Sequence, residues 1–191
     1  MKKLLLTTSA LIALSFTAGA AQAETYTVDP SHTNILMNVS HLGFSTMVLE
    51  ALKPEGTITF DQAKPEEGKV EITMKAIDID GDDEKFNTHL QSADFFNAEK
   101  FATITFKSTK VEVTGANTGK VTGDFTLLGV TKPVTLDVTF NKAGANPFSQ
   151  KETVGFTASG SIKRSDFGMG YGLPMIGDEV ALNINLEAVK P

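Results

Sequence analysis

Few residues of this chain have the types and spacing that catalysis or metal binding requires. The run Asp78-Ile79-Asp80-Gly81-Asp82-Asp83-Glu84 has the composition of a calcium loop, but an EF-hand loop needs glycine at position six and glutamate at position twelve. Counted from Asp78, glycine stands at position four and His89 at position twelve. We therefore predict that this acidic run is a turn that begins a helix.

The remaining polar residues do not form a recognisable reaction centre either. The histidines are His32, His41 and His89, and no two of them have metal-ligand spacing. A zinc site remains an alternative, because strands can bring residues that are distant in sequence together in space. The string 166–168 reads Asp-Phe-Gly, but no other kinase element accompanies it, and Ser165 has no patterned catalytic partner. We expect no catalytic residue, no metal and no cofactor.

The first 23 residues have the three-part pattern of a cleaved secretory signal. Lys2 and Lys3 form a positive region, residues 4–16 are mainly apolar, and small residues end in Ala-Gln-Ala at 21–23. This apolar run is shorter than the roughly 20 residues that a membrane-spanning helix needs, and an uncleaved anchor is the alternative. We expect cleavage after Ala23, a periplasmic protein with no integral membrane span, and a single domain over 24–191.

Composition narrows the classes of partner. The chain has no cysteine, so it forms no disulfide even in an oxidising compartment and carries no lipid on a cysteine. Its net charge is −6, and the predicted signal removes two lysines without removing any acid. Nucleic acid and anionic membrane surfaces favour clustered Lys and Arg. We therefore expect neither as a partner.

Period-two alternation of apolar residues with threonine or charge dominates the chain after the signal. This pattern is typical of half-buried strands, and Thr, Val, Ile and Phe suit a pleated surface. The first long segment has Ile35, Met37, Val39 and His41 on one face. The predicted strands are 34–41, 57–61, 70–76, 102–107, 121–127, 134–140, 154–162 and 180–186, with a short segment, Tyr26 to Val28, leading in.

About eight antiparallel strands with one apolar face form either a sandwich or a closed barrel, and the pattern leaves both open. One helix interrupts the strands, because acidic residues at 82–84 suit a helix N-terminus and Phe86 and Leu90 share a face. Such a helix could cap one end of a barrel. The glycines at 168, 170 and 172 predict a flexible loop at the barrel mouth.

Several segments together resemble the YceI-like family of polyisoprenoid-binding proteins, which are secreted lipocalin-like barrels. The opening matches at 26–33 and 39–45, the central helix and its return at 89–96, the most recognisable strand pair at 122–125 and 129–134, and the closing strands at 155–156, 166–168 and 178–180. The resemblance implies an all-β fold, an extended lipocalin-like antiparallel barrel of about eight strands with one short capping helix.

The resemblance also implies a partner, a long-chain isoprenoid or other amphiphilic lipid such as an isoprenoid quinone, and a homodimer is a further expectation. The inward residues expected to form the wall of the ligand site are Met37, Val39, Phe60, Met74, Phe106, Phe125 and Phe156. Those expected near its gate are Phe44, Met47, Phe86, Phe167, Met169 and Tyr171, with His41 and His89 as hydrogen-bonding groups. Ordinary core packing is the alternative role for each wall residue.

Two departures from the family pattern bear on the ligand. Members commonly carry arginines beside the helix histidine, where this chain has Asn87 and Gln91, so we expect an uncharged or amide-like headgroup. The segment 47–54 is more apolar than the family's polar turn, which predicts either an apolar lip or a local packing change. A lipid carrier is the main prediction, with a filled interaction or stress-protection barrel and a lipid enzyme as alternatives.

Overall fold

Strands form most of the fold in the computed structural model, which describes residues 23–191. The signal predicted at 1–23 lies outside the described residues except for Ala23. The strands are Glu24–Val28 (β1), Asn34–His41 (β2), Ser45–Ala51 (β3), Glu55–Phe60 (β4), Lys69–Lys75 (β5), Ile79–Asp80 (β6), Thr103–Val113 (β7), Thr118–Leu127 (β8), Val130–Ala145 (β9), Glu152–Lys163 (β10) and Ile176–Val189 (β11). Helix α1 spans Glu84–Gln91, and short 3-10 turns lie at Pro65–Glu67, Ala76–Asp78 and Arg164–Phe167.

Eight of these strands close into an antiparallel barrel. Their order is β1-β4-β5-β7-β8-β9-β10-β11, and β1 pairs with both β4 and β11, so the ring has no free edge. The N-terminal part of β11 pairs with β2. Strand β2 also pairs with β3, and β3 pairs with β6, so these three strands extend the sheet beyond the ring. Closure satisfies the edge hydrogen bonds that an open sheet would leave exposed. The predicted barrel is confirmed, and the sandwich alternative is wrong.

The segment 47–54 contains a strand that the sequence did not predict. Residues 45–51 form β3, which pairs antiparallel with β2 and places Met47 opposite Val39. Lys53 then adopts a φ of +52°, and Pro54 is fully buried before β4 begins. The apolar residues of this segment therefore belong to a strand, and Met47 and Leu49 lie on its inner face.

Alternation along the strands produces the core. In β8 the buried residues Val121, Gly123, Phe125 and Leu127 alternate with more accessible ones, because successive side chains of a strand point to opposite faces. Gly123 leaves room for a neighbour, since a Cβ there would lie 2.5 Å from the ring of Phe106. The inward faces of all the barrel strands therefore meet around one interior space.

Helix α1 begins as the acidic run predicted. Asp83 is its N-cap, and its carboxylate accepts a hydrogen bond from the Phe86 amide at 2.8 Å. Such a cap satisfies one of the amide groups that a helix leaves unpaired at its start. The helix buries Leu90 and caps the barrel at the end where β6 stops and β7 starts. Within residues 23–191, no helix combines the length and apolarity needed to cross a membrane.

Candidate functional site

The barrel encloses a cavity of about 660 Å³. This volume lies within the range of roughly 300–1,000 Å³ that is usual for small-molecule sites. The lining consists mainly of aliphatic and aromatic side chains from the inward faces of the strands, and it extends from α1 at one end to the β7–β8 turn at the other. An interior of this kind excludes most polar ligands and suits an apolar one.

The seven side chains predicted for the wall all line this cavity. Strands β2, β4, β5, β7, β8 and β10 contribute them, and each lies on the inner face that the alternation predicts. Several are only half-buried, although they point inward, because they border open space instead of other side chains. The residues are Met37, Val39, Phe60, Met74, Phe106, Phe125 and Phe156.

Six of the eight side chains predicted for the gate also line the cavity, at the end covered by the helix. They come from the end of β2, from β3, from α1 and from the loop that follows β10. Elements far apart in sequence thus meet at this end, which we call the helix end. The six residues are His41, Met47, Phe86, His89, Met169 and Tyr171.

The other two predicted gate residues lie elsewhere. Phe44 is 90% exposed at the tip of the β2–β3 hairpin, where Leu42 and Gly43 take φ angles of +56° and +73° and turn the chain outward. Phe167 is 3% exposed, and its ring packs edge-on against Phe125 at 5.4 Å between centroids. Phe44 therefore belongs to the surface and Phe167 to the packed core, and neither lines the cavity.

Three aromatic rings close part of the helix end. His89, from α1, stacks edge-on against Phe95 at 4.9 Å and against Tyr171 at 5.3 Å, while Phe95 and Tyr171 lie 5.2 Å apart. The Nε2 atom of His89 also lies 3.0 Å from the Oδ2 atom of Asp94. Edge-to-face aromatic pairs are the favoured geometry, so the cluster links the helix to the loop that carries Tyr171.

The two helix positions that depart from the family pattern hold the helix in place. The Asn87 amide donates a hydrogen bond to Asp80 at 2.6 Å and accepts one from the Gly81 backbone at 2.7 Å; its hydrogen bond lowers the pKa of the Asp80 carboxyl. Gln91 donates to the backbone carbonyl of Ile77. Neither side chain lines the cavity, so the expectation of an uncharged headgroup does not follow from these positions.

Arg164 is a cavity-lining residue that the sequence analysis missed. It is 3% exposed, and its three guanidinium nitrogens donate to the carbonyls of Gly177, Met169 and Ile176 at 2.7, 3.1 and 3.0 Å. Burial lowers its pKa, while the charge of Asp178 opposes that change. Arg164 lies just beyond the predicted strand 154–162, where a cation suggests an exposed position, and only the tertiary fold shows that it is buried beneath the loop before β11.

Asp178 is in turn oriented by Ser165, whose backbone amide and hydroxyl donate to its two carboxylate oxygens at 2.9 and 2.8 Å. These hydrogen bonds lower the pKa of the Asp178 carboxyl. Ser165 is thus committed to a structural contact.

Among residues 23–191 no three His, Asp or Glu side chains are grouped so that they could hold a metal ion.

A closed antiparallel barrel around an apolar cavity defines the lipocalin-like class. The family model described as the YceI-like domain matches residues 26–188. Protein YceI of Escherichia coli O17:K52:H18 is 38% identical over 192 residues, which covers 100% of this chain and 99% of that protein. The chain belongs to the YceI-like domain family, which confirms the resemblance found in the sequence.

Solved structures agree with this assignment. BcnA of Burkholderia cenocepacia superposes with a TM-score of 0.77 at 27% identity, over 84% of this chain and 99% of that one. A polyisoprenoid binding domain from Saccharophagus degradans superposes with a TM-score of 0.67 at 12% identity, over 87% of this chain and 98% of that one. The second likeness concerns the fold alone.

Proposed function

We propose that this protein is a lipid-binding protein that encloses the apolar tail of a long-chain isoprenoid, such as a polyprenol or an isoprenoid quinone, inside its barrel. The observation that carries the proposal is the apolar cavity of about 660 Å³ within a closed barrel. The polyisoprenoid binding domain of Saccharophagus degradans shares this fold, which supports an isoprenoid ligand. The protein binds its ligand and does not transform it.

The energetics of burial favour a long chain. Each methylene group transferred from water to the cavity contributes about 0.8 kcal/mol, so about 20 buried carbons contribute roughly 16 kcal/mol before costs. Association and ordering cost roughly 4–15 kcal/mol. A long tail can offset these costs without polar contacts, and a short tail binds more weakly because it buries fewer methylenes.

The helix end is where the headgroup would lie. His41, His89 and Arg164 place polar nitrogens among the lining residues there, and a few such groups are enough to orient an amphiphile in an apolar site. The tail would then extend between the strands toward the opposite end. This orientation would bring the headgroup to His41 and His89, because the three guanidinium nitrogens of Arg164 already donate to backbone carbonyls.

The test is native mass spectrometry of the protein purified from its own host, with lipid extraction of the same sample. We expect a single adduct with the mass of a long-chain isoprenoid. A lipid of another class would keep the binding role and change the ligand. A protein that carries no adduct and takes up no added prenyl alcohol would refute the proposal and favour a filled barrel that acts through its surface.

An enzymatic role makes a different prediction. If the protein transforms its lipid, then changing His41 or His89 to glutamine should abolish turnover while binding persists. We expect instead that the bound isoprenoid is recovered chemically unchanged after prolonged incubation. Recovery of a modified lipid, with loss of that modification in a histidine variant, would contradict the binding role.

We also propose that the chain is exported to the periplasm and loses residues 1–23. The support is the three-part signal pattern of the sequence. The mass and N-terminal sequence of the protein from a periplasmic fraction should identify Glu24 as the first residue. An intact N-terminus in the membrane fraction would favour the uncleaved anchor.

A further inference from the structure

Three phenylalanine rings cross the barrel interior at the end opposite the helix. The ring of Phe60 lies 5.2 Å from that of Phe140 and 5.2 Å from that of Phe156, and the latter two are 5.6 Å apart. Phe60 ends β4, whereas Phe140 and Phe156 are opposite each other on β9 and β10. We call these three rings the aromatic bridge.

The bridge spans the interior because of where its strands stand in the ring. In the order β1-β4-β5-β7-β8-β9-β10-β11, strand β9 is four positions from β4, which is diametrically opposite, and β10 is three positions away. Rings in contact between these strands therefore meet across the barrel axis. Each ring is only half-buried, as expected for side chains with open space on either side.

The surroundings change character beyond the bridge. The same cavity continues past the rings to Gln62, Lys69 and Asn117, which are polar and exposed. Lys69 pairs with Thr59, next to Phe60, and the Asn117 carbonyl accepts the Phe140 amide hydrogen at 2.8 Å. An apolar chain that passed the bridge would thus meet water and polar side chains.

We propose that the aromatic bridge sets the longest apolar chain that the barrel encloses. This inference rests on the proposed function and on the headgroup lying at the helix end. Carbons between the helix end and the bridge gain burial, and carbons beyond it gain almost none, so affinity should rise with chain length and then level off. Removal of a ring from the bridge should increase the chain length at which affinity levels off, which we call the levelling point.

The experiment measures the dissociation constants of a series of prenyl alcohols: geraniol, farnesol, geranylgeraniol and solanesol. Displacement of a fluorescent apolar probe gives each constant for the wild type and for Phe156→Ala. The variant removes one ring from the bridge, which makes room for about four more carbons and should tighten binding of the first alcohol beyond the wild-type limit by tenfold or more. Geraniol, which does not reach the bridge, should bind both proteins alike.

Two further variants keep the test decisive. Phe60→Leu makes the bridge thinner from the opposite wall and retains an apolar side chain. This variant decides the matter if urea denaturation shows that Phe156→Ala does not fold. Phe148→Ala is the matched control, because Phe148 is 96% exposed in the β9–β10 turn and should leave the profile unchanged.

The outcomes separate this inference from the proposed function. A levelling point that moves to longer alcohols in a bridge variant, and not in Phe148→Ala, supports the bridge as the determinant of chain length. A folded bridge variant with the wild-type profile overturns it. A wild type that binds none of the alcohols overturns the proposed function itself.

Discussion

Filling the middle of the cavity is the most direct perturbation of the proposed site. Ala158 lies on the inner face of β10, opposite Val138 of β9 and Ile184 of β11, and all three residues line the cavity. Because Val138 and Ile184 are only half-buried, the space beside Ala158 is open. The substitution Ala158→Phe should place a ring there.

The magnitude follows from the length of chain that the ring displaces. Ala158 is two residues from Phe156 on the same face, a step of about 7 Å along the strand, toward the helix end. A ring at this level takes the place of about four methylenes of a chain that extends to the aromatic bridge. At about 0.8 kcal/mol each, the loss is about 3 kcal/mol, which weakens binding of a long chain roughly a hundredfold.

The assay compares geranylgeraniol with geraniol by probe displacement. We expect the full loss for the long alcohol and a much smaller one for the short alcohol, which occupies less of the cavity. Ser159→Phe is the matched control: Ser159 is the next residue, and its side chain is exposed on the outer face. Urea denaturation should show that both variants fold.

Two results would refute this reasoning. If Ala158→Phe folds and still binds geranylgeraniol with wild-type affinity, the tail does not occupy this part of the barrel. If Ser159→Phe weakens binding as much as Ala158→Phe, the effect comes from strain in β10 instead of from lost volume. Overpacking of a filled core would itself cost about 1–3 kcal/mol of stability, so an unchanged denaturation midpoint also supports an open cavity.

Three other substitutions test the packing and charge of the described fold. Arg164→Met should lower the free energy of unfolding by about 3 kcal/mol, because one buried and two partly buried carbonyls lose their donors. Gly123→Ala should lower it by about 2 kcal/mol, since the added Cβ would lie 2.5 Å from the Phe106 ring. Asp29→Asn should return the pKa of His32, which the Asp29 carboxylate raises above 6.5, toward 6.5 in an NMR titration.

Controls and contrary outcomes accompany these predictions. Lys163→Met alters the last residue of β10, which is exposed and comes just before Arg164, and should be near neutral; equal losses at 163 and 164 would contradict the role of the buried guanidinium. Gly170→Ala adds a methyl group to open space and should cost little, whereas a Gly123→Ala variant as stable as the wild type would contradict the close contact.

The ion pair of Asp29 and His32 has a definite pH dependence. Since the pKa of His32 is raised, its stabilisation is complete below about pH 6.5 and is lost as the pH rises through the raised value. Since the pKa of Asp29 is lowered, the contribution of that carboxylate is lost as the pH falls through the lowered value. A His32 pKa that is unaffected by Asp29→Asn would contradict this coupling.

Local patterns in the sequence were enough to predict which face of each long strand points inward. Met37 and Val39 in β2 and Phe125 in β8 line the cavity as their alternation indicates, because the two-residue period of a strand is a property of the backbone itself. The acidic start of α1 was also predictable, since a helix cap depends on neighbouring residues alone.

Tertiary structure decided what depends on contacts between distant segments. Alternation is the same in a sandwich and in a barrel, and only the pairing of β1 with β11 closes the ring. Phe44 and Phe167 have the same apolar character, yet one is on the surface and the other is buried. Phe60 contacts Phe156 across the interior because closure brings opposite strands face to face, and sequence separation carries no information about that distance.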